Sequence, residues 1–197
     1  GYEDYAAIQA NYPISEQYGL FYFEVDIIDR GENGKIGIGF CTQTASLNKL
    51  PSWEDSSWGY HGDDGKRFFE NNGKSYEPKF MTGDTIGCYL NFRNNTVFYT
   101  RKGVNLGIAF RDLKNALYSC VGIVSPGGSV RANFGYRKFR YTGKFEQILA
   151  DLIKLLEIET YNTFALRYRG EIYFMMERYD VSIADLKKLL ETNANDS

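Results

Sequence analysis

The sequence predicts a mostly β chain, an antiparallel β-sandwich over residues 1–141 followed by an α-helical extension over residues 142–197. Three observations predict it. Apolar runs rich in Tyr, Phe, Val and Ile recur about every ten residues, separated by Gly-, Asn- and Asp-containing turns, with no helical period between them. The 197 residues include 16 Tyr, 14 Phe and 20 Gly, a composition suited to pleated surfaces joined by tight turns. Near residue 141 the apolar spacing changes from a period of two to a helical one.

In chain order, a first short strand is expected from Tyr5 to Ile8, then a loop at Asn11-Tyr12-Pro13-Ile14, where Pro13 cannot donate to a central ladder. Leu20 to Ile28 alternates as a strand and Lys35 to Cys41 returns as another, with Asn33-Gly34 suited to a hairpin turn at positive φ. Gly37 and Gly39 leave one face of the second strand bare, so another segment can approach it closely. Thr42 to Ser57 is long and irregular, and ordered loops of that length are often functional. Arg67 to Phe69 is a short strand and Asn71-Asn72-Gly73-Lys74 a loop. Thr85–Phe92 and Thr96–Thr100 make a hairpin. Asn105–Phe110, Leu117–Val124 and Val130–Phe134 complete the strands, with Ser125-Pro126-Gly127-Gly128 turning between the last two.

Helices are expected around Phe145–Leu156, from Thr163 to about Glu177, and from Asp180 to Glu191. Leu149-Ala150-Asp151-Leu152-Ile153-Lys154-Leu155-Leu156-Glu157 recurs 34 residues later as Ile183-Ala184-Asp185-Leu186-Lys187-Lys188-Leu189-Leu190-Glu191, identical at seven of nine positions. With Leu166, Gly170, Tyr173, Tyr179, Ser182, Leu186 and Leu189, this resembles a tetratricopeptide array. Small Gly170 and Ser182 would let two helices approach closely. Arg169 and Ala194 depart from that pattern, and the first unit lacks its first helix, leaving about one and a half repeats. The chain opens on Gly1 rather than Met, so we expect a longer protein around it, with more repeats following.

The net charge of −2 provides no basic field for nucleic acid, and no stretch approaches the ~20 apolar residues of a membrane span. Cys41, Cys88 and Cys120 lie in apolar runs, as expected of buried reduced thiols. With no signal peptide, the sequon Asn94-Asn95-Thr96 is not expected to carry a glycan, and the expected location is the cytoplasm, with the nucleus second.

Trp58-Gly59-Tyr60-His61-Gly62-Asp63-Asp64-Gly65 gathers rings, glycines and two carboxylates in eight residues. It reads as an ordered structural turn, with Asp63 and Asp64 folding back onto backbone N–H groups and Trp58 in the core. Three side chains on one tight turn cannot surround a metal ion without further ligands, and no zinc or calcium spacing occurs. No set of groups fills acid, base and stabiliser roles together, so we expect neither an enzyme nor a cofactor.

The same stretch belongs to a collinear series: Gly19-Leu20-Phe21-Tyr22-Phe23-Glu24-Val25, Gly37-Ile38-Gly39-Phe40, Asn48-Lys49-Leu50-Pro51-Ser52-Trp53, Thr82-Gly83-Asp84-Thr85-Ile86-Gly87-Cys88, Leu106-Gly107-Ile108-Ala109-Phe110 and Ala132-Asn133-Phe134-Gly135. From about Tyr5 to Tyr141 the chain thereby resembles the SPRY domain of the RanBPM type. The resemblance implies a bent β-sandwich of two antiparallel sheets, used for recognition, whose loop rim grips a short peptide of a partner protein. On this chain the rim would comprise Asn11, Tyr12 and Pro13, the segment holding Thr42, Leu47 and Trp53, the approach to Trp58, and Val124, Ser125 and Pro126. The RanBPM branch is associated with scaffolding in ubiquitin-ligase assemblies of the CTLH type. Its usual additional strand sequence before Tyr5 is absent here, which would expose a sheet edge, and its LisH and CTLH helices are replaced by the repeat-like tail. Independently of the resemblance, Tyr12, Leu47 and Trp53 are apolar groups in segments stiffened by Pro13 and Pro51, as rigid interface anchors are. The expected function is non-catalytic peptide capture, with the helices as a second partner surface or an oligomerisation element. The alternative is a lectin-like sandwich binding carbohydrate near Asn11, Asn48 and Asp55.

Overall fold

In a computed structural model the described residues are 6–16, 19–53, 56–141 and 143–195. Eleven strands and three helices follow one another: β1 (Ala6–Gln9), β2 (Leu20–Asp29), β3 (Ile36–Cys41), β4 (Ser57–His61), β5 (Lys66–Phe69), β6 (Asn72–Ser75), β7 (Thr85–Asn91), β8 (Thr96–Arg101), β9 (Val104–Arg111), β10 (Tyr118–Ile123), β11 (Ser129–Asn133), α1 (Gly143–Ile158), α2 (Thr163–Met175) and α3 (Tyr179–Asn195). The strands form two antiparallel sheets, one ordered β1-β10-β3-β4-β5-β6 and the other β11-β2-β7-β8-β9. Tyr5, the expected start of the first strand, lies outside the described residues.

The alternation read in the sequence places one face of each sheet in a shared core. Phe23, Val25 and Ile27 from β2 meet Ile36, Ile38 and Phe40 from β3, Trp58 and Tyr60 from β4, Ile86, Cys88 and Leu90 from β7, and Val97 and Tyr99 from β8. Each of these is a period-two set, so a one-residue slip of register would turn its rings to the wrong face. Tyr60 packs edge-on against Phe80 and Tyr76, at centroid separations of 4.6 and 5.1 Å.

Two expected loops turn out otherwise. Asn33-Gly34 does not close a hairpin: β2 pairs with β11 and β7, whereas β3 pairs with β10 and β4. The turn is a corner between the two sheets. Gly34 sits at φ 69°, as read, and Asn33 Oδ1 accepts from Lys35 N, so the local chemistry was legible while the destination of the next strand was not. Asn72, Gly73 and Lys74, expected as loop, instead belong to the exposed edge strand Asn72–Ser75 that pairs with β5. Its Asn, Gly, Lys and Ser bury nothing, so it carries no apolar pattern.

The chain divides into two compact units, residues 1–134 and 135–197. In the second unit Asn162 caps α2 by accepting from Ala165 N at 2.9 Å. Ser182 Oγ donates to the Gly170 carbonyl at 2.8 Å, and Arg169 pairs with both oxygens of Asp185. The two small residues thus sit at the α2–α3 contact.

Candidate functional site

The stretch around His61 is half strand and half turn. Trp58 and Tyr60 point into the core from β4, and Trp58 stacks on Phe69 at 5.1 Å with 6° between the rings. Asp64 Oδ1 accepts from Lys66 N at 3.0 Å, closing the turn as expected, but Asp63 has one carboxylate oxygen buried without a partner. His61 faces the other side of the sheet, where the rows of Gly37, Gly59 and Gly122 leave a channel along β3, β4 and β10. Leu50-Pro51-Ser52 fills it. A Cβ on Gly122 would stand 2.6 Å from Pro51, and one on Gly37 3.2 Å from both Pro51 and the His61 ring. His61 Nε2 donates to the Pro51 carbonyl at 2.8 Å and lies 3.1 Å from Ser52 Oγ, while its ring stacks on Phe68. Burial holds the imidazole below its usual pKa of 6.5, against opposing pulls from the Pro51 bond, Asp63 and Asp64. The single histidine is therefore a neutral latch on the Asn48–Trp53 segment. Among the described residues, no cluster of three or more His, Cys, Asp or Glu side chains could hold a metal ion.

Seven of the nine residues expected at the rim divide between two ends of the six-stranded sheet, whereas Leu47, whose carbonyl accepts from Ala7 N, and Trp53, beside the His61 ring, lie alongside the strands. Cys41 pairs with Tyr118 at one end of β10 and Ile36 with Ile123 at the other. Ala10 N donates to Ser119 O and Ile14 N to Leu117 O, so Asn11, Tyr12 and Pro13 lie beyond the first end, as does Thr42. Val124, Ser125 and Pro126 lie beyond the second, about 17 Å away along the strand. Burial divides the nine again. Asn11, Tyr12, Pro13, Leu47 and Pro126 are exposed, Tyr12 at 82%, and Trp53 is half-buried beside His61. Thr42, Val124 and Ser125 are buried. Ser125 Oγ accepts from both Asn33 N and Gly34 N at 3.1 Å, which fixes the inter-sheet corner. Of the three residues expected around a glycan, Asn11 and Asn48 are exposed and Asp55 lies outside the described residues.

The first end also carries a cleft of about 550 Å³ lined by Trp58, Phe69, Phe110, Arg67, Arg111 and Lys114 together with Ser56, Glu70, Asn72, Lys74, Asp112 and Asn115. It opens where β4 and β5 face the end of β9. Arg67 donates to the Ala109 carbonyl and lies over the Phe110 ring at 5.6 Å. Asp112 N donates to Asn95 O and Asn95 Nδ2 to Leu113 O, which pins the segment after β9. Of these residues the sequence singled out only Trp58. The rest come from strand ends and short connections far apart in the chain, and only the pairing register brings them together.

A model of the SPRY domain matches residues 20–137. The Ran-binding proteins 9/10 homolog of Drosophila melanogaster is 51% identical over 154 residues, covering 78% of this chain and 16% of that protein. Ran-binding protein 9 of Xenopus laevis is 42% identical over 181 residues, and Ran-binding protein 10 of Danio rerio 40% over 181, each covering 91% of this chain and 30% and 27% of those proteins. Those two matches extend into the helical unit, and the chain spans less than a third of the length of these relatives. A crystal structure of a human SPRY domain superposes with a TM-score of 0.62 at 29% identity, over 70% of this chain and 89% of that one. Two antiparallel sheets, a collinear motif series and a family model spanning more than half of the residues agree: this chain belongs to the SPRY domain family.

Proposed function

We propose that the chain is a non-catalytic protein-interaction module that captures a short extended peptide across the first end of its six-stranded sheet. The observation that carries this reading is Tyr12, 82% exposed on a loop stiffened by Pro13 and sharing that end with the cleft. An exposed aromatic ring on a preorganised loop contributes contact area at low entropic cost. From β1 to β5 the end spans four inter-strand steps, about 19 Å, which an extended peptide of about six residues covers. Bound in this way, a partner would be held for a larger assembly, a ubiquitin ligase among them, in the cytoplasm or nucleus. A peptide array probed with the purified chain, Tyr12→Ala and Pro126→Arg tests the reading. Loss with Tyr12→Ala and retention with Pro126→Arg supports capture at the first end. The reverse pattern moves the site to the second end, and absence of peptide binding to any of the three overturns the reading.

The helical unit, on the same proposal, is tetratricopeptide-like and supplies a second surface. Leu149, Leu152 and Leu156 of α1 are 5, 7 and 8% exposed, whereas their repeat counterparts Ile183, Leu186 and Leu190 of α3 are 51, 40 and 69% exposed. Helix α3 instead buries Ser182, Asp185 and Leu189. A stripe that is covered on one helix lies open on its near-copy, as expected of a face that receives a further helix or another copy of the chain. Self-association that Leu186→Glu abolishes, followed by light scattering, would assign the stripe to a second copy.

A further inference from the structure

We infer that the Trp58–Phe69–Phe110 cleft is a binding site for an acidic peptide segment, which places an apolar side chain on the ring floor and carboxylates against Arg67, Arg111 and Lys114. The inference rests on the peptide-capture reading above and names the chemistry of the ligand. Three observations carry it.

First, the cleft reverses the sign of the chain. The whole sequence has a net charge of −2, yet the cleft gathers Arg67, Lys74, Arg111 and Lys114 against Glu70 and Asp112. Among the described residues no ion pair engages Lys74, Arg111 or Lys114, whereas Lys66, Arg101, Lys102, Arg131 and Arg169 all pair with carboxylates. Charges not engaged by ion pairs of the chain's own are left to steer an oppositely charged ligand. Second, the floor is rigid. Trp58 and Phe69 are stacked, and Arg67 is held by the Ala109 carbonyl over Phe110, so its guanidinium is aimed before a ligand arrives. Third, four of the lining residues hold backbone in the left-handed region. Ser56, Glu70, Asp112 and Asn115 have φ of 78°, 50°, 58° and 67°. Non-glycine residues in this region are strained and cluster where a site needs particular geometry.

A peptide fits this cleft better than a nucleic acid. Glu70 and Asp112 would repel a polyphosphate backbone, but they can accept from peptide N–H groups while the arginines hold side-chain carboxylates. The amides of Asn72 and Asn115 offer both donors and acceptors to main chain.

The test uses the full chain and two fluorescein-labelled hexapeptides, Asp-Glu-Leu-Asp-Glu-Leu and its uncharged isostere Asn-Gln-Leu-Asn-Gln-Leu, read by fluorescence polarisation at 50 and 300 mM salt. The acidic peptide should bind at least tenfold more tightly than the isostere at low salt and weaken at high salt. Arg111→Glu with Lys114→Glu should remove that preference. Both side chains are exposed, so the double variant should keep the parent circular dichroism spectrum. Equal binding of the two peptides, or a preference that survives the charge reversal, overturns the inference. If the array finds ligands that Tyr12→Ala loses and that carry no acidic residues, the capture reading stands and the acidic cleft alone falls.

Discussion

Among single residues, His61 and Ser125 show how polar side chains serve this fold. The sequence marked His61 as structural from its place among glycines and aspartates, and the ring is buried against Pro51, Ser52 and Phe68. Its partners were not legible, because Pro51 and Ser52 belong to a segment that was read as part of a recognition rim. Ser125 shows the same gap from the other direction. A hydroxyl that accepts from two backbone N–H groups some ninety residues away leaves no local pattern, so a Ser-Pro-Gly-Gly turn looks like a free loop tip. The latch has a pH signature. The folded imidazole titrates below 6.5 and the unfolded one near it, so the unfolded state binds the extra proton and stability falls as pH drops below about 6.5. Carboxylates titrate lower, leaving a separate window between about pH 6.5 and 5.5. Denaturant unfolding should show stability falling as pH falls through that window. The loss should be absent in His61→Gln, which keeps an N–H donor but cannot charge. A pH slope that persists in His61→Gln would assign it to other groups.

For elements, the strands and helices were legible wherever burial follows a period, as in β2, β3, β7 and β8. Legibility failed at β6, whose residues face solvent, and at the corner after β2, where turn chemistry is shared by hairpins and crossovers alike. Glycine spacing carried more information than glycine turns: Gly37 announced a close approach, and Pro51 makes it. The α2–α3 contact lends itself to a graded test. A Cβ on Gly170 would sit 3.4 Å from Asp185 Cβ and 3.5 Å from Leu186, which is ordinary van der Waals contact. Gly170→Ala should therefore raise the stability of the helical unit by up to about 1 kcal/mol through helix propensity. Gly170→Leu should force the helices apart and lower the thermal midpoint. Calorimetry of both variants decides it, and a destabilising alanine would show that no such space exists.

Across the whole molecule, the cysteine reading and the sandwich reading stand together. Cys41, Cys88 and Cys120 are all buried and free. Burial raises the Cys88 and Cys120 thiols well above their ordinary value, whereas a hydrogen bond with Cys120 lowers that of Cys41. Ellman's reagent should label none of the three in the native chain over minutes and all three once it is unfolded, and fast native labelling would mean that the strands open readily. What composition and spacing could not convey was the pairing order. That order also sets a timetable for synthesis. Gln9 pairs with Cys120, and Glu24 with Asn133, so neither sheet can close until almost the whole sandwich has left the ribosome. At about 5–20 residues per second, the aromatic faces of β2 and β3 stay open for several seconds at least. Pairings so distant in sequence also fold slowly once available. The three helices, each docked on its neighbour in the chain, face no such delay. In a growing polypeptide, the sandwich is therefore the part with most need of a chaperone, and its last strand is the one that ends the need.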